Sequence, residues 1–331
     1  MSLITGSLRG VGVIDVSLIV LKTAAEDKSR HIIFLFDRES ISIMSIDIEH
    51  LREWVGRAER RDDTVTAAPV AALSATLDRD DPSPRQGDRL PALWHWLYFL
   101  PTDRQSELGV DGHVRLGGFL PPVTLSRRLY GGGRVEILHP LLVGDPIERV
   151  SRILDVSRKD GRTGPLVFVR VGHEIRCRER LALTEEHDIV YRDAARPDPQ
   201  PPLRRASDDA AWTRKIYPDE VLLFRYSALT FNGYRIHYDR RFATEAQGHP
   251  GLIVHAPLVA TLLADLLRRN LPETNVSSFS FRAITALFDT GPFFICGRPD
   301  DDGSVKLWAR DAAGALAVEA TAGLERPSLF L

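Results

Sequence analysis

Residues 255–270, HAPLVATLLADLLRRN, carry the strongest structural signal in the chain. Their apolar side chains are spread around most of the helical circumference instead of forming one stripe. A helix that is apolar on all sides is normally buried, so we expect this one to lie against a sheet that wraps around it. The segments that follow are short, apolar and closed by Gly, Asp or Pro, which is typical of strands: SSFSFRAITALF, GPFFICGRPD, VKLWARD and LAVEATAG.

The first half of the chain has the same order of elements. TAAPVAALSATLDRDD (66–81) predicts a helix that begins after Thr66, and residues 46–58 predict a shorter helix before it. Residues 134–192 are interpreted as four or five antiparallel strands, and VLLFRYSAL (221–229) as a further strand. A long buried helix beside a curved antiparallel sheet, present twice, defines an α+β architecture.

A proline-rich segment separates the two halves. ARPDPQPPLRRASDD (195–209) holds four prolines and few apolar residues, so we expect it to be extended and solvated. The predicted organisation is an N-terminal domain over 46–194, a linker over 195–211 and a C-terminal domain over 212–326. Residues 1–45 precede the first domain; Met44 is interpreted as the natural start and residues 1–43 as an upstream extension, with an extra pair of strands as the alternative.

Composition excludes several classes of protein. The 331 residues include 43 basic and 45 acidic side chains, which gives a formal net charge of -2. The chain therefore lacks the positive net charge that is typical of nucleic-acid-binding proteins. The apolar run at 11–21 is interrupted by Asp15 and is too short to span a bilayer, and it lacks the features of a signal peptide. Cys177 and Cys296 have no metal-ligand spacing, so we expect two buried thiols, no zinc site, and a cytoplasmic protein.

The segment before the long helix concentrates the polar residues that could do chemistry. It reads YSALTFNGYRIHYDRRFATEAQGHPGLIVHAPL over residues 226–258. Such a mixture of polar and apolar residues suits a cleft that positions water against a bound substrate. We predict His237 as the catalytic residue, with Asn232 as a water-positioning or turn residue. Asp239 is either a helper carboxylate or a cap, and His255 either contacts substrate or fixes the loop.

The order N-x4-H-x-D, PGL-x-V-H-x-P-L and a long helix resembles the MaoC-type hydratase/dehydratase family, which has the hotdog fold. In the first half, GGFLPPVTLSRRLYGGGRVEILHPLLVGD and TGPLVFVRVGHEI resemble the degenerate hotdog of its FAS1-like dehydratase branch. That branch includes mesaconyl-CoA-type hydratases and fungal mitochondrial 3-hydroxyacyl-thioester dehydratases. The resemblance covers residues 46–325. It implies a double hotdog, a homodimer, CoA as part of the substrate, and no metal or redox cofactor.

The family adds water to, or removes it from, the C2–C3 bond of an enoyl thioester. The resemblance therefore implies that His237 is the acid/base and that the Ala256 N–H is the oxyanion donor, with Gly251 and His255 beside it. A helix N-terminus suits a developing negative charge because it carries free N–H groups and partial positive charge. The chain departs from the family at Asn232, where the family has a catalytic Asp. An amide can orient water but cannot take its proton, so His237 or a nearby carboxylate must do so.

An acyl-CoA substrate also needs residues that bind the CoA phosphates and residues that line the acyl pocket. Arg240, Arg241 and Arg282 are candidates for the CoA phosphates, with ordinary surface charge as the alternative. The Trp-His-Trp run at 94–96 and the glycine run after Tyr130 line the acyl pocket or, for the glycines, allow a sharp bend.

Three functions compete. The first is a hydratase of a dicarboxylyl-CoA such as mesaconyl- or itaconyl-CoA, which would need a buried cation for the free carboxylate. The second is a 3-hydroxyacyl-thioester dehydratase of fatty acid synthesis, which would need an apolar tunnel. The third is a non-catalytic acyl-CoA binding protein.

Overall fold

A computed structural model describes residues 46–161, 164–193 and 203–325. Within these ranges the residues from Asp47 onward belong to one compact unit. The predicted extension over 1–45, the first part of the predicted linker and residue 326 lie outside the described residues.

The described residues form one ten-stranded antiparallel sheet, in the order β1-β3-β4-β5-β2-β7-β10-β9-β8-β6. Each half of the chain contributes five strands, and β2 pairs with β7 where the halves meet. The strands of the first half are β1 Ala58–Thr64, β2 Arg127–Ile137, β3 Pro146–Gly161, β4 Gly164–Cys177 and β5 Arg180–Arg192. Those of the second half are β6 Trp212–Ile216, β7 Val276–Ala283, β8 Phe293–Pro299, β9 Val305–Asp311 and β10 Leu316–Leu324.

The glycine run after Tyr130 lies at the junction of the halves. The register of β2 shifts between Tyr130 and Gly132, which is a β-bulge. Gly132 has φ of +150°, and a Cβ there would clash with the carbonyl oxygen of Phe281 on β7. The glycines therefore bring the two halves of the sheet into contact, as expected for a bend.

The helices are α1 Ile48–Arg52, α2 Ala67–Thr76, α3 Glu220–Leu229 and α4 Ala256–Asn270. Helix α4 matches its prediction, since residues 258–267 are all buried. The helix predicted over 46–58 ends at Arg52, and its last residue belongs to β1.

The strand predicted over 221–229 is wrong, because this segment is α3. Asp219 accepts a hydrogen bond from the Leu222 N–H at 2.8 Å and so caps the helix. The buried positions Leu223, Tyr226 and Ser227 follow helical spacing. A short apolar run such as this one does not by itself distinguish a strand from a helix.

A buried carboxylate links the two halves. Asp265 of α4 is 3% exposed. Its oxygens accept hydrogen bonds from Arg79 at 2.6 Å, Arg214 at 3.0 Å and Arg269 at 2.7 Å. Since Arg79 follows α2, this network connects the helix regions of both halves by charge-assisted hydrogen bonds.

Two expectations about the class of protein can be checked. Cys177 and Cys296 are both free thiols, but only Cys296 is buried; Cys177 is half-buried near the end of β4, so the expectation of two buried thiols is wrong for it. No helix in the part of the chain that the structure describes has the length and apolarity required to cross a membrane.

Candidate active site

The side chain of His237 is held in place by the backbone at Ile253. It ends a short 3-10 turn, Arg235–His237, and its Nδ1 lies 2.7 Å from the carbonyl oxygen of Ile253. The N–H of Ile253 donates in turn to the carbonyl of Ile236 at 3.0 Å. A carbonyl only accepts, so the proton of the imidazole is on Nδ1 and Nε2 keeps its lone pair. Nε2 has no hydrogen-bond partner among the described residues.

His255 stacks on His237, with ring centroids 3.7 Å apart and an interplanar angle of 18°. His255 is 1% exposed, and its Nε2 lies 2.8 Å from the hydroxyl of Ser227. Burial lowers the pKa of His237 to about 4, although its hydrogen bond to Ile253 acts in the opposite direction. Burial also lowers the pKa of His255 well below its ordinary value. Both rings are therefore neutral at pH 7, and His237 presents a free basic nitrogen.

The N-terminus of α4 begins directly after this stack, because His255 is its N-cap residue. Pro257 has no N–H, and the N–H groups of Ala256 and Leu258 have no hydrogen-bond partner among the described residues. These are the free donors of a helix N-terminus. The structure thus places the predicted oxyanion donor, Ala256, next to the histidine pair.

Asn232 forms a turn. Its side-chain oxygen accepts from the N–H of Tyr234 at 3.0 Å, and its own N–H donates to the carbonyl of Ser227 at 2.8 Å. The preceding Phe231 has φ of +49°, which is unusual for a bulky residue. Because the oxygen of Asn232 is engaged, its amide nitrogen is the group that remains available to a water molecule.

Asp239 acts as a cap. It accepts from the Phe242 N–H at 3.0 Å and from Arg235 at 2.7 Å. These two donors hold its pKa below the ordinary value. Of the two readings of Asp239, the geometry matches the capping residue.

Arg240 fixes the loop that carries Gly251. It pairs with Glu220 at 2.6 Å and with the buried carboxylate of Asp289. Asp289 also accepts from the Leu252 N–H at 2.8 Å, and a Cβ at Gly251 would clash with that carboxylate. Gly251 therefore permits the close approach that orders the loop before α4.

The other two candidate arginines are exposed. Arg241 pairs with Glu245 at 2.8 Å and its side chain is 84% exposed. Arg282 is on the sheet face opposite to that of Phe281, whose ring packs on Trp96 in the interior. It lines an outer groove of about 600 Å³ near Glu319. The structure does not bring Arg282 to the histidine pair.

A carboxylate–histidine pair from the first half lies over the turn of Asn232. Asp111 Oδ2 is 2.9 Å from His113 Nδ1, and the His113 ring lies 4.1 Å from that of Tyr234. Between them, Gly112 has φ of +94°, and a Cβ there would clash with the carbonyl of Gly233. His113 is near enough to His237 to lower its pKa further. Asp111 and His113 are not among the predicted site residues, although their D-x-H spacing in a glycine-rich loop is a signal for such a pair.

A second polar cluster is buried in the first half. Glu185 accepts from Trp96 Nε1 at 2.9 Å and lies 3.1 Å from His95 Nε2. The Tyr130 ring stacks on His187 at 3.8 Å. Burial opposes ionisation of Glu185, but the contacts with histidines outweigh it and lower its pKa to about 2. The Trp-His-Trp run therefore contributes donors to a buried carboxylate.

Two five-stranded halves, the buried helix α4 and a neutral histidine at its N-terminus define a double-hotdog hydro-lyase. The model of the family described as "Hydroxyacyl-thioester dehydratase type 2" matches residues 93–289. The chain belongs to this family.

Two curated relatives support this assignment, and a solved structure shares the fold. The chain is 46% identical over 272 residues to mesaconyl-C(4)-CoA hydratase of Chloroflexus aurantiacus, covering 82% of this chain and 96% of the relative. It is 25% identical over 265 residues to the mitochondrial hydroxyacyl-thioester dehydratase type 2 of Schizosaccharomyces pombe, covering 71% and 88%. HtdX of Mycobacterium tuberculosis has the same fold, with a TM-score of 0.58, 18% identity and coverage of 81% and 99%.

Proposed function

We propose that this protein hydrates mesaconyl-C4-CoA or a closely similar dicarboxylyl-CoA thioester, and catalyses the reverse dehydration. The observation that carries the proposal is the neutral His237, with a free Nε2, beside the free N–H groups of α4. The relative that is 46% identical, and whose length the match covers to 96%, acts on such a thioester by its name.

In the hydration direction, His237 Nε2 takes a proton from water while the water oxygen bonds to C3. The electron pair of the double bond moves towards the thioester, and the Ala256 N–H stabilises the negative charge on the thioester oxygen. The imidazolium then returns its proton to C2, so one water adds across the bond. Asn232 orients the water by donating from its amide nitrogen, because its oxygen is bound to Tyr234.

The proposal includes no metal and no redox cofactor. A thioester carbonyl already acidifies the hydrogens on C2, so the protein has to supply a base and oriented donors. CoA is part of the substrate. Arg241 remains the candidate for its phosphates, because its partner Glu245 is exposed and such pairs are worth little. Arg240 is engaged by buried Asp289.

A 3-hydroxyacyl-thioester dehydratase is the second candidate, favoured by the description of the matching family and by the name of the yeast relative. The two candidates separate in a substrate panel. Purified protein is assayed for loss or gain of enoyl-thioester absorbance with mesaconyl-C4-CoA, crotonyl-CoA and 3-hydroxyacyl-CoA esters, beside a His237→Ala variant. We expect the highest kcat/KM with mesaconyl-C4-CoA. A protein that binds these thioesters but converts none would instead be a binding protein.

The homodimer stays a prediction. Helix α3 carries exposed apolar side chains at Val221, Phe224 and, just beyond its end, Phe231. Pairing with a second copy would cover such a stripe. Light scattering of wild type and of a Phe224→Glu variant tests whether a dimer forms through it.

A further inference from the structure

Arg128 is a cation on the inner face of the sheet that no part of the proposed chemistry uses. It lies on β2 two residues before Tyr130, and the bulge of this strand comes only after Tyr130. Residues two apart on a strand share a face, and the Tyr130 ring stacks on His187 in the interior. The register partner of Arg128 is Tyr191, which is 1% exposed. Arg128 is itself half-buried.

The guanidinium of Arg128 has no hydrogen bond and no carboxylate partner among the described residues. Other arginines of β2 do have partners. Arg134 pairs with Glu186, and Arg127 donates to the carbonyl of Gln247 at 2.6 Å. A half-buried guanidinium without an anion is costly, because burial removes water from its donors.

The charge of Arg128 acts on groups at two sides. It lowers the pKa of His113 and opposes the rise in the pKa of Tyr234, both in the region over the Asn232 turn. It also lowers the pKa of His187, in the buried cluster of the first half. The neighbouring Arg127 donates to the carbonyl of Gln247, in the segment between His237 and α4, so this end of β2 lies beside the candidate active site.

Two carboxylates of the first half that face these regions already have partners. Asp111 accepts from His113, and Glu185 is bound by Trp96 and His95. A ligand that brings its own carboxylate to Arg128 would supply the missing anion. Arginine presents parallel N–H groups that match a planar carboxylate.

We propose that Arg128 binds the free carboxylate of the acyl group and so selects dicarboxylyl thioesters. This inference rests on the proposed function and specifies its substrate class. In mesaconyl-C4-CoA that carboxylate is attached to the carbon that water attacks. A cation that binds this carboxylate is therefore expected near, but not at, His237. A phosphate of CoA is the alternative ligand of this guanidinium, because phosphate oxygens accept the same N–H groups as a carboxylate.

The test is binding of unreactive thioesters, measured by titration calorimetry. Succinyl-CoA and butyryl-CoA have acyl chains of the same length and differ in the terminal carboxylate, and free CoA lacks the acyl group. We expect wild type to bind succinyl-CoA at least about 10-fold more tightly than butyryl-CoA. Arg128→Gln should weaken succinyl-CoA about 10- to 100-fold and change butyryl-CoA less than about twofold. The matched control is Arg127→Gln on the same strand, which should keep the preference for succinyl-CoA.

Three results would overturn the inference. These are wild type without a preference for succinyl-CoA, Arg128→Gln with an unchanged preference, and an equal loss of all three ligands, which would assign Arg128 to CoA phosphates. If Arg128→Gln does not fold, the inference is tested by the wild-type preference for succinyl-CoA and by Arg128→Lys, which should retain part of that preference. The proposed function is assessed separately, by hydration of mesaconyl-C4-CoA and of 3-methylcrotonyl-CoA by wild type. Wild type that prefers succinyl-CoA but hydrates neither would contradict the function alone.

Discussion

The two halves of the sheet each enclose histidines, but with opposite relations to a carboxylate. In the second half, His237 and His255 stack on each other, and a backbone carbonyl and a hydroxyl are their hydrogen-bond partners. In the first half, His95 lies against Glu185, and His187 is close enough for the same carboxylate to affect its pKa. The same architecture therefore gives a free basic nitrogen in one half and an engaged carboxylate in the other.

This difference bears on which group replaces the catalytic Asp that the family resemblance implies at Asn232. Glu185 is buried, is bound by Trp96 and His95, and has its pKa lowered to about 2. A carboxylate that is so well stabilised as an anion is a poor base. We infer that the reaction depends on the neutral imidazole of His237 and that the cluster of the first half stabilises the fold.

The largest expected effect is on activity when His237 is replaced. His237→Ala removes the proposed acid/base and should lower kcat by about 10²- to 10⁴-fold. His187→Ala, in the cluster of the first half, should lower kcat less than about 10-fold, because no step uses it. Steady-state hydration kinetics measure both. Equal losses in the two variants would mean that both clusters take part in the reaction and that the contrast between them is wrong.

Removing the buried carboxylate should mainly affect stability. Glu185→Ala leaves the Trp96 N–H without its acceptor and His95 without its partner, so we expect a loss of about 2–4 kcal/mol in the free energy of unfolding. Glu185→Gln keeps an acceptor for Trp96 and should lose less. Urea unfolding measures both changes. A Glu185→Gln protein that is stable but inactive would assign Glu185 a catalytic role.

Sequence patterns predicted what depends on local order. The buried α4, the N-x4-H segment and most strands follow from periodicity and turn residues, and the double hotdog follows from the resemblance. Helix α3 was mistaken for a strand because its apolar run is short. The position of the Asp111–His113 pair could not be predicted, because it depends on a long-range contact: the Arg235 N–H donates to the carbonyl of Asp111 only in the folded chain. The environment of Glu185 depends in the same way on residues about 90 positions away.

The pH dependence of the free energy of unfolding should separate the buried neutral histidines from the buried carboxylate of Glu185. Burial lowers the folded-state pKa of His237 to about 4 and that of His187 to about 3, compared with an ordinary value of 6.5. As the pH falls from 6.5 towards 4, these histidines take up protons in the unfolded state but not in the folded state. The free energy of unfolding therefore decreases, by up to about 1.4 kcal/mol per pH unit for each group. Glu185 contributes only at lower pH, because its stabilising effect is lost as the pH falls from about 4.5 towards 2.

Urea unfolding at pH 7, 6 and 5 measures this slope. A His187→Phe variant should have a shallower slope than wild type, since it lacks one group that takes up a proton on unfolding. Activity should stay nearly constant between pH 8 and 5 and fall towards pH 4, where His237 becomes protonated. An unchanged slope in His187→Phe would show that this histidine is not buried as a neutral group.

The smallest expected effect comes from placing a carboxylate beside the histidine pair of the second half. Asn232→Asp keeps an acceptor for the Tyr234 N–H, so the turn should persist. A negative charge near His237 favours its protonated form. The acid limb of the kcat/KM profile should therefore move above the wild-type value near pH 4. We expect kcat at pH 7 to change less than about 10-fold, because His237 remains mostly neutral there. An acid limb that does not move would mean that the side chain at 232 faces away from His237, and the water-positioning role of Asn232 would then have to be abandoned.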